Sequence, residues 1–329
     1  ETFSINVSDI NLSEEKYITY VNNIINCKSN IYEINDDEFI DKLDQVSYFL
    51  DHPIHHPNTV GLYYLAKYSS DKVKVLISGE GADELFGGYS RYFRHTFGNE
   101  LLKKPLRLLN KYLPNKFSFN SLGNYLQRDI NYIMALSCGR PEIIKSFYDQ
   151  FDFNKAINNR LNLFCNAKGN SFLEKILNYE IEYELPSLLI RQDKMTMAFS
   201  VENRVPFLSK DFIYAVRNNF TAKELLKNKT FKKSFLKARF NTKLPLKDIS
   251  RIYFGDEFTF RSKNGFGFPI QRLLQSQIIK ERFFDEYIPL LNKYLLIDKN
   301  KLKDIWKKNN LFVEEIFSLI SIASWLKNF

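Results

Sequence analysis

The pattern of apolar and polar positions changes character near residue 93. Before that point, three short stretches rich in β-branched and aromatic residues are predicted to be strands: TFSINV (2–7), NIYEIND (30–36) and KVKVLI (72–77). Three longer stretches place apolar residues at helical spacing and are predicted to be helices: EEKYITYVNNIINC (14–27), DDEFIDKLDQVSYFLD (36–51) and TVGLYYLAKYS (59–69). The order β-α-β-α-α-β predicts a parallel sheet with helical crossovers, and therefore an α/β fold class.

Beyond residue 93 the pattern is helical almost throughout, with proline and glycine at the joints. We therefore predict two domains, in which residues 1–95 form an α/β unit and residues 96–329 form a large helical subdomain. The 44% hydrophobic content of the 329 residues supports a real hydrophobic core.

The amino-acid composition limits the classes of binding partner and the cellular compartment that we expect. The formal charge of +9 lies mostly in lysine-rich stretches, which we interpret as solvated helix faces; a surface for an anionic partner is the alternative. No RNA-binding motif is visible, so nucleic acid is not an expected partner. The longest apolar runs fall short of the about 18 residues of a membrane span. Cys27, Cys138 and Cys165 are widely spaced and odd in number, which favours free thiols and a cytoplasmic location.

A glycine-rich turn with three carboxylates, SGEGADE (78–84), follows the third predicted strand. Ligands of open parallel sheets bind beyond the carboxyl ends of the strands. Gly79 and Gly81 allow a sharp turn that exposes backbone N–H groups to a phosphate. Carboxylates there would repel a phosphate unless a divalent cation lies between them, so the combination predicts a magnesium–nucleotide site. An ordinary helix N-terminus, where acidic residues are favoured by the helix dipole, is the alternative.

Two later stretches concentrate charge among apolar residues or glycines. LPSLLIRQDKMTMAFSVENRVPFL (185–208) contains Arg191, Glu202 and Arg204, which predict either a buried ion-pair network or, at Arg204, a contact to a carboxylate substrate. RSKNGFGFPI (261–270) is a basic glycine turn in which Lys263 could act as a point charge on a phosphate.

Three histidines lie close together in DHPIHHP, at positions 52, 55 and 56. Their proline-broken spacing lacks the regular geometry of a helical or finger-type zinc site, so we do not expect a metal there.

Taken together, these stretches resemble the synthetase domain of the glutamine-dependent asparagine synthetase family, from end to end. SGEGADELFGGY resembles the family turn SGEG-S/A-DE-x-FGGY, and DKMTMAFSVENRVPFL resembles the block D-R-x-S-M-A-x-S-x-E-x-R-V-P-F-L-D. SKNGFGFPI resembles K-x-GFG-x-P, and EEIFSLISIASWLKNF resembles the C-terminal helix of the family. Four matches in the right order are specific, whereas any one alone would be weak.

The resemblance implies an adenine-nucleotide α-hydrolase-like sheet and an ATP-dependent reaction that uses Mg²⁺. Family members adenylate a side-chain carboxylate, aspartate in the asparagine synthetases, and ammonia from a glutaminase domain attacks the acyl-adenylate. Ser78 and Gly79 match positions that touch ATP, Ile5 matches one beside the adenine, and Gly81 lets the backbone approach the nucleotide. Asp83 matches a ligand of the magnesium–pyrophosphate group.

Three further residues match positions that act on the reacting groups. Lys263 matches the lysine that stabilises charge developing on the phosphates. Glu80 matches the acid of the GEG turn, which is a candidate acceptor for the amine proton. Arg191 matches an arginine of the substrate domain.

Departures from the family pattern predict an incomplete active site. The SGGxDS pyrophosphate loop and the glutaminase domain are absent from the sequence, so the sheet lacks its first βα unit and exposes a strand edge and an apolar face. We expect a longer protein or a partner chain that carries the loop, and no ATP pyrophosphatase activity from this chain by itself. His52 also replaces an acid of the family's Asp-Glu-Pro, and Ser209 stands where its last block usually ends in Asp.

Three functions therefore remain open. The first is an amide-forming ligase that converts aspartate to asparagine; Glu80 favours it over the similar β-lactam synthetases, which carry Tyr there. The second is an amidotransferase or synthetase that acts on another carboxylate, and the third is a degenerate, non-catalytic subunit.

Overall fold

The part of the chain that can be described is mostly helical, with three two-stranded sheets. The computed structural model describes residues 1–7, 13–89, 91–92, 133, 136, 140–228, 240–261 and 267–328. Within these ranges, no helix is long and apolar enough to cross a membrane. Cys27 and Cys165 are free thiols, and Cys138 lies outside the described residues.

The strands form two parallel pairs and one antiparallel pair. Strand β1 (Thr2–Val7) pairs with β2 (Ser29–Ile34) over their full length, and β3 (Val75–Ile77) pairs with β4 (Glu202–Arg204). Two residues each form β5 (Lys227–Asn228) and β6 (Phe240–Asn241). The three predicted strands are confirmed, with the second and third shorter than expected.

The predicted single sheet is not found within the described residues, because β3 takes its partner from far along the chain. Strand β4 has the sequence Glu-Asn-Arg, which is too short and too polar to show a strand pattern. The α/β character of the N-terminal part is thus present, but as two separate parallel pairs. The domain boundary near residue 95 stays a prediction.

Five helices are described in the N-terminal part, and they follow the predicted spacing with one interruption. They are α1 (Glu15–Ile24), α2 (Asp36–Asp41), α3 (Leu43–Leu50), α4 (Thr59–Ser69) and α5 (Ala82–Phe86). Helix α2 begins with a capping box, in which Asn35 and Glu38 each accept a hydrogen bond from the other's backbone N–H. The stretch predicted as one helix over residues 36–51 is divided between α2 and α3 at Lys42.

The rest of the described chain consists of short helices joined by turns. They are α6 (Pro141–Phe147), α7 (Phe153–Asn166), α8 (Phe172–Tyr179), α9 (Leu185–Met197), α10 (Lys210–Asn219), α11 (Ala222–Leu225), α12 (Leu244–Thr259, broken at Gly255), α13 (Ile270–Leu273), α14 (Gln277–Arg282), α15 (Ile288–Leu295), α16 (Lys299–Trp306) and α17 (Val313–Leu326). One π-helical turn, Glu180–Glu184, joins α8 to α9, and a second, Phe283–Tyr287, joins α14 to α15.

Two hydrophobic cores hold these elements. The first packs α2, α3 and α4 against the C-terminal helices, and its buried members include Phe39, Tyr287 and Trp306. The second packs α5 against α7, α8, α10 and α11, and includes Phe164 and Tyr179. Helix α9 contributes to the first core and follows directly from a π turn next to the second. Helix α9 and the π turn before it therefore connect the two cores.

Candidate active site beyond the third strand

The turn SGEG begins where β3 ends, and β4 holds it in place. The backbone N–H of Ser78 donates to the carbonyl oxygen of Arg204 at 2.9 Å, which continues the parallel ladder by one residue. The side-chain amide of Asn203 donates to Ser78 Oγ at 3.3 Å. The E-x-R block therefore positions the turn through its backbone and its middle residue.

The two glycines of the turn have different structural roles. Gly81 has φ +85°, and a Cβ there would lie 2.5 Å from Leu208 Cγ, so the fold itself requires glycine. A Cβ on Gly79 would meet only Phe207 Cε2, at 3.9 Å, which is an ordinary contact. The fold does not require glycine at position 79, where the backbone is exposed and open to a ligand.

Asp83 forms an ion pair with a lysine that lies far along the chain. Lys243 Nζ is 3.0 Å from Asp83 Oδ2, and each side chain is about a quarter exposed. Gly88 makes room for this pair, because a Cβ there would lie 2.6 Å from Asp83 Cγ and would also overlap Lys243 Cε. The second glycine of FGGY is therefore explained by the packing of Asp83 and Lys243.

Glu80 is half-buried between cations and another acid. Burial raises the pKa of Glu80, and the charge of Asp83 acts in the same direction, whereas Arg191 and Lys243 oppose the rise. A carboxylate whose pKa is raised in this way is a candidate for proton transfer.

Arg191 projects from α9 and is only 8% exposed. Its Nη1 donates to Asn58 Oδ1 at 2.8 Å, while its Nε–H has no acceptor among the described residues. Burial lowers the pKa of Arg191, and the charge of Glu80 partly compensates. A buried guanidinium with an unused donor is suited to binding a carboxylate.

The structure places most of the predicted site residues around this one turn. Ser78, Gly79, Glu80, Gly81 and Asp83 belong to the turn or to the first residues of α5, and the charge of Arg191 acts on Glu80.

Two predicted residues are not placed at the turn. Ile5 lies in the other sheet, opposite Tyr32 in β2. Lys263 lies outside the described residues.

Glu202 and Arg204 of the E-x-R block do not form the buried ion-pair network that the sequence predicts. Arg204 donates to Glu202 at 3.0 and 3.3 Å, and both side chains are more than half exposed, so the two form a surface ion pair. Surface ion pairs contribute little to stability, about 0–1 kcal/mol.

Lys243 and Asn58 were not predicted from the sequence to be site residues. Lys243 precedes the Leu-Pro pair that starts α12, in a lysine-rich region where no single lysine is distinctive. Asn58 follows the proline-broken histidine stretch and has the composition of a loop residue. Both are brought to the site only by tertiary packing, so neither had a local signal.

The residues of the turn fit a magnesium nucleotide. Asp83 offers a partly exposed carboxylate that already faces a cation, and Lys243 and Arg191 supply positive charge nearby. Mg²⁺ commonly uses one or two protein carboxylates and takes its other ligands from phosphates and water. Among the described residues, no three His, Cys, Asp or Glu side chains are grouped so that they could hold a metal ion.

Comparison with known proteins points to one family. The family model for asparagine synthase matches residues 1–327. Asparagine synthetase [glutamine-hydrolyzing] 1 of Bacillus subtilis is 28% identical over 275 residues, which are 78% of this chain and 41% of that protein. A Mycobacterium tuberculosis protein with a provisional assignment as a glutamine-hydrolyzing asparagine synthetase is 29% identical over 256 residues, 74% of this chain and 37% of that protein. The chain thus spans about two fifths of the length of these relatives. Because the family match covers almost every residue, this chain belongs to the asparagine synthase family.

Proposed function

We propose that the chain is the synthetase part of an ATP-dependent amide-forming ligase. An oxygen of the substrate carboxylate attacks the α-phosphorus of ATP, the bond to the β-phosphate oxygen breaks, and pyrophosphate leaves. Ammonia then attacks the acyl carbon, AMP leaves with the bonding electrons, and the amide remains. The relatives' names make aspartate the first carboxylate to test and glutamine the source of ammonia. An adenine-nucleotide α-hydrolase-like arrangement of the strands is part of the same proposal.

The observation that carries the proposal is the charge arrangement at the SGEG turn. Glu80, with its raised pKa, would accept the proton that the attacking amine loses. Asp83 would hold magnesium, which when bound neutralises charge on the departing pyrophosphate. Lys243, released from Asp83, would then face the phosphates as a point charge, as we propose for Lys263. Arg191 would bind the substrate carboxylate.

The remaining turn residues would contact the nucleotide. Ser78 and the open backbone at Gly79 would approach the phosphates, and the left-handed Gly81 would shape the turn. Ile5 would lie beside the adenine.

A further strand and loop from outside this sequence are also part of the proposal. Strand β3 pairs only with β4 among the described residues, and its Val75 and Ile77 are 44% and 76% exposed. An exposed apolar strand with a free edge is a site for strand addition. We propose that a segment or partner chain carrying SGGxDS pairs there, and that a glutaminase domain delivers the ammonia.

Pyrophosphate release from the native assembly tests the reaction. With ATP, magnesium and ammonia present, we expect release that depends on a carboxylate substrate; if L-aspartate, the first to test, is that substrate, the product is asparagine. If release requires a different carboxylate, that carboxylate replaces aspartate as the proposed substrate, and the reaction class stays the same. No release with any carboxylate would favour the non-catalytic subunit.

Lys263→Ala tests the catalytic assignment, with Lys308→Ala, an exposed lysine of the C-terminal region, as the matched control. We expect a loss of at least about 10²-fold in pyrophosphate release for the first variant and none for the second. Retained activity in Lys263→Ala would contradict its assigned role.

Native mass tests the missing segment independently of activity. The chain alone has a mass of 38.9 kDa. A native particle of that mass, with no partner chain, would contradict the proposed strand addition.

A further inference from the structure

A cavity next to the candidate site contains side chains that the proposed reaction does not use. Its volume is about 550 Å³, within the range of pockets that bind small organic molecules, roughly 300–1,000 Å³. The loop after α3, helix α7, the π turn before α9, and α9 itself supply its walls. The histidine and charged residues of the lining are His52, His55, His56, Arg160, Glu184 and Arg191.

The described charged residues that line the cavity are two arginines and one glutamate. Glu184 is the single carboxylate among the described lining residues, and Arg160 donates a hydrogen bond to it. Arg191 is the second cation, and its Nε–H has no acceptor among the described residues. A buried donor without a partner is costly, about 1–3 kcal/mol, and an anionic ligand would reduce that cost. A ligand with one negative charge would neutralise the net charge of these lining residues.

Two of the histidines, His55 and His56, add flat, uncharged surface to the cavity wall. Desolvation, together with neighbouring cations, lowers the pKa of His56 to about 3. Desolvation also lowers the pKa of His55, so both imidazoles are neutral at pH 7. Their rings touch edge to face, 4.5 Å apart between centroids. Leu50 and Leu163 extend this surface with aliphatic groups.

We propose that this cavity binds a monocarboxylate carried on an uncharged, largely apolar body. The carboxylate lies at Arg191, and the body lies against the two imidazoles and the leucines. Glu184 is already engaged by Arg160, so no unpaired carboxylate of the described lining faces an α-ammonium group such as that of aspartate.

The cavity's role as the substrate pocket rests on the proposed ligase function, because the charge of Arg191 also acts on Glu80 of the candidate site. Binding itself does not depend on that function. A substrate carboxylate held by Arg191 would be the one that reacts.

Calorimetric titration of the native protein without ATP tests the binding. The probes are 3-phenylpropionate, its amide 3-phenylpropanamide, which has the same body without the charge, and L-aspartate. We expect 3-phenylpropionate to bind at least about tenfold more tightly than either of the others. Equal affinity of acid and amide, tighter binding of aspartate, or no binding of 3-phenylpropionate overturns the proposal.

Variants that fill the cavity locate the binding. Leu163→Trp and Ser187→Trp each place an indole at an exposed position of the wall, on α7 and α9 respectively, and Leu311→Trp makes the same leucine change at an exposed position away from it. We expect at least about tenfold weaker binding in the two cavity variants and unchanged binding in the control. Binding that survives both cavity variants overturns the proposal. Absence of carboxylate-dependent pyrophosphate release would count against the ligase function alone.

Discussion

Gly88→Ala should disturb the candidate metal ligand without altering any residue proposed to touch substrate. Carbon atoms in contact are normally about 3.5–4.0 Å apart. The new Cβ would lie 2.6 Å from Asp83 Cγ, so an overlap of about 1 Å must be relieved by displacing the carboxylate, and the overlap with Lys243 Cε displaces the lysine as well. The φ angle of Gly88 is not left-handed, so the effect comes from this overlap alone.

The loss of stability expected for Gly88→Ala has two parts. Displacing side chains in a packed region costs about 1–3 kcal/mol. Loss of the ion pair between Asp83 and Lys243, each about a quarter exposed, adds about 1 kcal/mol. We therefore expect the free energy of unfolding to fall by about 2–4 kcal/mol. A shift of about 1 Å in a catalytic group typically costs about 10²-fold in rate, so pyrophosphate release should fall by that factor and require more magnesium.

Urea unfolding and a magnesium titration of pyrophosphate release measure the two effects. Gly79→Ala is the matched control for stability, because its Cβ meets only Phe207 Cε2, at 3.9 Å, and we expect its stability to stay within about 0.5 kcal/mol of the wild type. If Gly88→Ala unfolds at the same urea concentration as the wild type and keeps the same magnesium requirement, the packing explanation is refuted.

Three further substitutions test the electrostatics of the region. Burial raises the pKa of Glu80, so its stabilising contribution is complete below pH 4.5 and is lost as the pH rises through the raised value. Glu80→Gln should therefore gain stability relative to the wild type in urea unfolding as the pH rises above 4.5, and should lose about 10²–10⁴-fold in amide formation; parallel pH profiles would contradict this. Arg191→Lys should raise the KM for the carboxylate about tenfold with a smaller change in kcat, because a lysine cannot reproduce the guanidinium geometry, and an unchanged KM would contradict the assignment. Glu180→Gln weakens two charge-assisted hydrogen bonds from Arg91, at 2.7 and 2.6 Å, and should lower the free energy of unfolding by about 1.5–3 kcal/mol, whereas the exposed neighbour Glu182→Gln should have almost no effect.

The N-terminal strands and helices were predictable because their patterns are local. Thr2–Val7 has the β-branched residues of a strand, and Thr59–Ser69 has helical spacing. Lys42 interrupts a stretch whose spacing alone predicts one helix. Strand Glu202–Arg204 had no such pattern, because three polar residues form a strand only when a partner strand already exists.

The candidate site was predictable in part for the same reason. The SGEG turn is a contiguous motif, so its residues could be identified together. Lys243 and Asn58 enter the site through contacts between distant segments, and such contacts leave no periodic signal in the sequence. The neutral character of His56 likewise depends on surrounding protein atoms and on Arg191.

The pairing of β3 with β4 has a consequence for biosynthesis. Val75 pairs with Glu202, so the two halves of this ladder leave the ribosome more than a hundred residues apart. At about 5–20 residues per second, β3 waits roughly 5–25 seconds for its partner. During that interval Ile77 is exposed on an unpaired strand, which is a target for chaperones and for other nascent chains. The SGEG turn can become ordered only late in translation, after Arg204 has been synthesised and can accept the hydrogen bond from Ser78.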